Sequence, residues 1–242
     1  MYALIAVPFL IYLYYINAYA VNLPRQDDFD AILGFLVKYR EATGINKVWT
    51  LFSQHNEHRI FSSRLVYALY YELTGTINFR HIIFIDAAIL ASLFLLMAGF
   101  IRRMLPDNWH VGVLVLSLCL FDMNNYENMN FAMAGMQNFG IVMLFAAALW
   151  GYSSKKAFGF GAAALLQAVA VFSSGNGLLV AFFLVLYTII ARIKPGMVLS
   201  ILVFAVCVPL YYYHYQKIEN GLFTLEPRKF LPYFMPVSYT HL

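Results

Sequence analysis

Seven apolar stretches run along this chain, at about residues 2–21, 82–101, 109–122, 132–151, 157–173, 177–191 and 196–213. A bilayer hydrocarbon core of about 30 Å takes roughly 20 helical residues per crossing. The third and sixth stretches are short by that measure. Their length favours helices over strands, and a backbone inside lipid must satisfy its own hydrogen bonds. The expected fold class is all-α: a polytopic transmembrane helical bundle of about seven spans.

The connections between these stretches are of two kinds, and the kinds alternate strictly. One is short and basic: Arg102-Arg103, Lys155-Lys156 and Arg192/Lys194. The other collects acids, amides and histidines at 25–30, 54–59, 124–128 and 173–177. Short loops rich in Lys and Arg stay in the cytoplasm. That rule puts the N-terminus inside and residues 22–81, 123–131, 173–176 and the segment after about 214 outside, so every polar cluster falls on the external face.

The long external segment, 22–81, is no linker. Ile32, Leu33, Phe35, Leu36 and Tyr39 form an apolar stripe, with Asp28 or Asp30 available as cap and Gly44 as terminator. Lys47 to Tyr71 sets Trp49, Phe52, Ile60, Phe61, Leu65 and Leu69 among charged residues. Both read as amphipathic helices lying in the membrane interface. Trp109 and Tyr211 to Tyr213 fit interfacial aromatic belts.

Composition sharpens the assignment. The chain is 62% hydrophobic and 12% charged, where a soluble domain carries about 25% charge. The formal net charge of +4 is no nucleic-acid footprint, because six of the sixteen basic residues lie in the three basic connections. Cys119 and Cys207 fall within apolar runs and read as small buried hydrophobes.

Each polar cluster admits a chemical and a structural reading. Asp27, Asp28 and Asp30 repel one another beside a low-dielectric boundary, which raises the affinity of at least one for a proton. Such a carboxylate suits general-base work on a hydroxyl, and the same run suits helix capping. On a helix, His55, His58 and Arg59 share one face. With Arg64 they could grip a phosphate, or simply form the charged side of an interfacial helix. Glu57 sits between the histidines, but the string is not a zinc-hydrolase signature. Glu127, Asn128, Gln137 and Asn138 supply donors and acceptors for sugar hydroxyls, or bond helices together. Ser173 to Gly177 reads as a tight turn or as a backbone nest for an anion. Asp86, about a turn into the second span, is expected to pair with Arg80 or His81.

Taken together, an acidic pair directly after the first span and a long external segment with interfacial helices resemble the GT-C class of integral-membrane glycosyltransferases. The strings His55-Asn-Glu-His-Arg-Ile60 and Tyr126-Glu-Asn-Met-Asn-Phe-Ala-Met-Ala-Gly-Met-Gln137 are similar to ones in poorly characterised bacterial members. The resemblance reaches about residue 220. It implies an enzyme of the bacterial inner membrane that moves a sugar from a polyprenyl-phosphate donor to a lipid, glycan or protein acceptor, with inversion. By the same resemblance Asp28 is first choice for the base and Asp27 second. Arg59 or Arg64 stabilises the leaving phosphate, and His55, Glu57, His58, Glu127, Asn128 and Gln137 bind sugar or position the acids. Some members use a divalent cation near the acids; no residue here is assigned to one.

Two other classes stay in view. A transporter or lipid flippase would place charged or broken helices near the midplane, and an assembly subunit would not need His-Asn-Glu-His-Arg beside Asp-Asp. The chain holds only about half the helices usual for the class. One transmembrane domain is therefore expected over 1–236, as the N-terminal piece of a longer protein. Residues 237–242 resemble a translated adaptor rather than native sequence.

Overall fold

Helices make up nearly all the regular structure in the computed structural model, which describes residues 1–154 and 156–216. Lys155 and the segment from 217 onward, with the suspected non-native tail, lie outside the described residues. Four helices are long and apolar enough to cross a membrane: α1 (Tyr2–Tyr19), α5 (Phe79–Met104), α8 (Ala132–Ser153) and α11 (Lys194–Tyr212). Three shorter apolar helices, α6 (Trp109–Leu120), α9 (Ala157–Ser173) and α10 (Asn176–Ile190), have 12, 17 and 15 residues. The all-α expectation holds, and every expected apolar stretch is helical with ends within a few residues of those read from the sequence.

Helix ends follow local chemistry. The Asn78 side chain accepts the backbone N–H of His81 at 3.2 Å and caps α5. Arg102 and Arg103 occupy its last turn, where cations complement the helix dipole. Between α1 and α5, a π-helical turn at Phe29–Gly34 leads into α2 (Phe35–Glu41), followed by α3 (Ile45–Phe52). A two-stranded hairpin of β1 (Gln54–His55) and β2 (His58–Arg59) comes next, then α4 (Phe61–Thr74). Gly75, at φ 72°, closes α4 in the left-handed conformation that favours glycine.

Two expectations change here. Lys47–Tyr71 is not one helical stretch: the hairpin divides it, so His55, His58 and Arg59 do not share a helix face. Gly44 does not end the preceding helix, which stops at Glu41; it stands instead at φ 56° immediately before α3.

The bundle packs around α8. On one side lie α5, then α6 and α1; on the other α9, with α10 and α11 closing a second group. The larger core joins the segment between α1 and α5 to the first group through Tyr12, Ile16, Ile32, Phe35, Tyr67, Ile82 and Met133. The second group is clasped by Gln167 on α9. Its side-chain amide donates to the carbonyls of Ala181 (3.3 Å) and Ser200 (3.1 Å), and its oxygen accepts the Tyr152 hydroxyl at 2.7 Å. One buried amide thus ties four helices, which an apolar contact in lipid cannot do directionally. Gly151 allows α8 and α9 to approach: a Cβ there would lie 2.8 Å from the Gly159 carbonyl and 2.9 Å from the Ala163 side chain.

Candidate functional site

The acid run after α1 is wound so that neighbouring carboxylates face opposite ways. The Asp27 carbonyl accepts the N–H groups of Asp30 and Ala31 at 3.1 and 2.7 Å, and Gln26 takes φ 43°. Asp28 is thereby buried, while Asp27 and Asp30 are exposed. The Asp28 carboxylate accepts the backbone N–H of Arg25 at 3.0 Å with one oxygen and that of Met133 at 3.0 Å with the other. Met133 is the second residue of α8, and no side chain of the flanking residue caps that helix. Asp28 therefore caps a helix that begins more than a hundred residues later, rather than its own. Burial pushes its pKa from 3.8 to about 6. The two N–H bonds and the Arg25 charge pull it back down, and the Asp27 charge adds a smaller push upward. Repulsion among the acids is thus secondary to desolvation.

Across from this run stands the hairpin. Asn56 turns it at φ 47°, which pairs His55 with His58 across the two strands, their rings 6.4 Å apart and nearly perpendicular. Burial lowers the pKa of both imidazoles. For His55 the Arg64 and His58 charges lower it further, and for both histidines the Asp27 carboxylate pulls the other way. Lowered from 6.5, both rings are neutral at pH 7 and act as hydrogen-bonding groups. Asp27 therefore lies within electrostatic reach of the histidine pair. A Cβ on Gly175 would lie 3.7 Å from the His58 Cβ, so the turn between α9 and α10 packs on the hairpin. Glu57 is exposed at the hairpin tip, where its carbonyl accepts the Tyr215 hydroxyl at 2.9 Å.

The two arginines expected to hold phosphate are occupied. Arg59 donates to the carbonyls of Phe52, Tyr211 (2.9 Å) and Tyr213 (2.6 Å). Arg64 donates to the carbonyls of Thr50 (3.2 Å) and Ser53 and to the Ser53 hydroxyl (2.6 Å). These carbonyls belong to the C-terminal ends of α3 and α11, where helices leave acceptors unpaired. Both guanidiniums are buried and act as C-terminal caps. Burial lowers the Arg64 pKa to about 10. Arg25 is different: its side chain is exposed, and its guanidinium reaches the Asn130 carbonyl at 3.4 Å.

The amide cluster forms α7 (Tyr126–Asn130) and the start of α8, broken at Phe131, whose φ is −130°. Asn138 donates to the Asn128 side-chain oxygen at 2.8 Å, and Asn130 donates to the Tyr126 carbonyl at 3.1 Å. Asn128 and Gln137 are half-buried and Glu127 is exposed. Through Asp28–Met133 and Arg25–Asn130 this cluster docks on the acid run.

Asp86 departs most from expectation. It is buried on α5 and pairs with neither Arg80 nor His81. Arg80 bonds Asn17 and His81 bonds the Tyr70 hydroxyl. Among the described residues, the hydroxyls of Tyr12, Ser63 and Tyr67 are likewise buried without partners. An open groove of about 770 Å³ lies nearby at the α1–α5 junction, lined by Asn22, Asn78, Arg80, His81 and Phe84. None of the residues singled out as catalytic or substrate-binding lines it. Among the described residues, no group of three or more His, Cys, Asp or Glu is placed to hold a metal.

Arg25, Tyr12, Ser63, Tyr67 and Gln167 have no role assigned from the sequence. Arg25 stood inside the quoted acid string, and only its exposure separates it from Arg59 and Arg64. Gln167 was legible as a lone amide in an apolar run. The tyrosines carried no signal among 18 of their kind. No protein-family model matches the chain, and neither a curated protein nor a solved structure matches it.

Proposed function

We propose that this chain is the membrane part of a glycosyltransferase resembling the GT-C class, working on the external face of a bacterial inner membrane. It crosses with seven spans, the N-terminus inside. The observation that carries the reading is the opposed placement of the first two acids. Asp27 is exposed and lies within electrostatic reach of the His55–His58 pair, while Asp28 is buried. A substrate reaches Asp27, so the proton-accepting role moves to it from Asp28, whose oxygens are engaged by backbone N–H groups.

The chemistry is an inverting displacement. Asp27 accepts the proton of an acceptor hydroxyl as that oxygen bonds to the anomeric carbon. The bond from that carbon to the lipid phosphate breaks, and the phosphate departs with the electron pair. Arg25, with an exposed guanidinium beside the acids, takes the phosphate-binding role that Arg59 and Arg64 cannot serve while bonded to carbonyls. Neutral His55 and His58, with Glu57, Glu127, Asn128 and Gln137, offer donors and acceptors to the sugar.

Transfer from defined polyprenyl-phosphate sugars by the protein in lipid vesicles tests this. Asp27→Asn is expected to lower transfer by about 100-fold or more, the scale of a lost general base, with membrane insertion unchanged. Undiminished transfer would remove Asp27 from the reaction. Asp86, a carboxyl within a span, favours a second reading as a transporter or flippase; solute or lipid flux without transfer would select it.

A further inference from the structure

Of the seven buried side-chain oxygens and nitrogens without a partner among the described residues, five belong to Tyr12, Ser63, Tyr67 and both oxygens of Asp86. Asp86 lies within electrostatic reach of Tyr12, Tyr67 and Asp28. The geometry at Gly135 is specific. A Cβ placed there would lie 2.6 Å from an Asp86 carboxyl oxygen and 2.9 Å from the Asn128 carbonyl oxygen. Two acceptors thus border the same small space beside Gly135, in the first turn of α8.

Two acids also approach the first turn of one helix, α8, and only one of them caps it. Asp28 accepts the Met133 N–H and a second N–H from Arg25, whereas Asp86 receives none. The dipole of one helix end supports about half a unit of charge. An unpaired carboxylate in such surroundings is disfavoured by several kcal/mol, and such groups neutralise instead. The titratable and charged groups around Asp86 are Tyr12 from α1, Asp28 from the acid run, and Tyr67 from α4. Arg64 of α4 is bonded through its terminal nitrogens to the Thr50 and Ser53 carbonyls, its Nε having no partner among the described residues, and residues 132–139 of α8 carry no titratable side chain.

We infer that Asp86 is a buried proton-binding site: it is a neutral carboxylic acid at physiological pH, and its proton is donated to the backbone carbonyl of Asn128. The bond converts a contact between two acceptors into a tie between α5 and the α7–α8 joint. The acid pair then carries one negative charge, on Asp28.

Infrared spectroscopy of the full chain in lipid nanodiscs, labelled with ¹³C at the aspartate carboxyls, tests the inference without any assay of activity. At pH 7.5 the wild type is expected to show a protonated-carboxyl stretch that is isotope-shifted and moves in D₂O. Asp86→Asn should lose that band. Gly135→Ala, whose methyl enters the space between the two oxygens, should move it to higher frequency. Absence of the band in the wild type, or its persistence in Asp86→Asn, overturns the inference. Should Asp86→Asn fail to accumulate, Asp28→Asn decides: the band persists if the proton is on Asp86, and its disappearance overturns the assignment. A band replaced by sodium-dependent carboxylate signals would identify a metal cation in the proton's place, and would equally overturn it.

Discussion

The carboxylate of Asp28 accepts the backbone N–H of Met133 at 3.0 Å, joining residues 105 positions apart. The bond docks the acid run onto the amide cluster at the mouth of α8, and both ends of it are buried. An acid that looked from its neighbours like a solvated cap or a free base is instead part of the scaffold.

Removing that carboxylate should loosen the joint. Asp28→Ala leaves the buried Met133 N–H without an acceptor, at about 1–3 kcal/mol before relaxation, and frees the partly buried Arg25 N–H, which water can reach. Asp28→Asn keeps one acceptor oxygen and should lose less. Thermal unfolding of the two variants in detergent, compared with wild type, reads the difference. Equal stability of Asp28→Ala and wild type would contradict the capping role.

The same group makes stability depend on pH in a defined direction. The folded chain holds the Asp28 proton up to about pH 6, whereas the ordinary value is 3.8. Between roughly pH 4 and 6 the folded state therefore binds more protons than the unfolded state. The contribution from Asp28 is complete below about pH 4, falls as pH rises through about 6, and is level beyond. Asp28→Asn lacks this component. The stability difference between wild type and variant should change across that window and stay flat from about pH 7 to 8.

Arg59 offers a contrast between charge and geometry. It bonds three backbone carbonyls from α3 and α11. Lysine keeps the charge but not the planar fork. Arg59→Lys is expected to cost on the order of 2–4 kcal/mol, from carbonyls left unpaired. If instead Arg59 mainly binds phosphate, Arg59→Lys keeps its unfolding temperature and loses donor affinity alone.

The Gln167 clasp predicts coupling inside the second helix group. Gln167→Leu should cost about 1–2 kcal/mol, the scale of interhelical hydrogen bonds in membranes. Tyr152→Phe in the Gln167→Leu background should add little, since the Tyr152 hydroxyl has already lost its acceptor. A double-mutant cycle on thermal stability checks this, and full additivity would argue against a shared bond.

The proposed orientation is checked by single cysteines in a background lacking Cys119 and Cys207. Glu57→Cys should react with a membrane-impermeant maleimide added to intact cells. Asp107→Cys, in the connection between α5 and α6, should react only after the membrane is opened. The reverse pattern would invert the topology.

The apolar periodicity and length of the stretches determined by themselves that the chain is helical and where the helices lie, because burial of a backbone in lipid leaves few alternatives. The alternation of basic and polar connections likewise singled out one end of the bundle as the place to look for a site. The sequence could not assign the partner of each polar side chain. Arg59 and Arg64 look like anion binders in one dimension and become carbonyl caps once α3, α11 and the hairpin meet. His55, His58 and Arg59 fit a helix by spacing, yet the turn at Asn56 and the bonds from Arg59 favour the hairpin. Asp27 and Asp28 are adjacent and chemically identical, and only docking against α8 makes one exposed and the other buried. Hydrophobic pattern is a local property that survives in one dimension. Which donor meets which acceptor depends on contacts across a hundred residues, and the tertiary structure alone decided them.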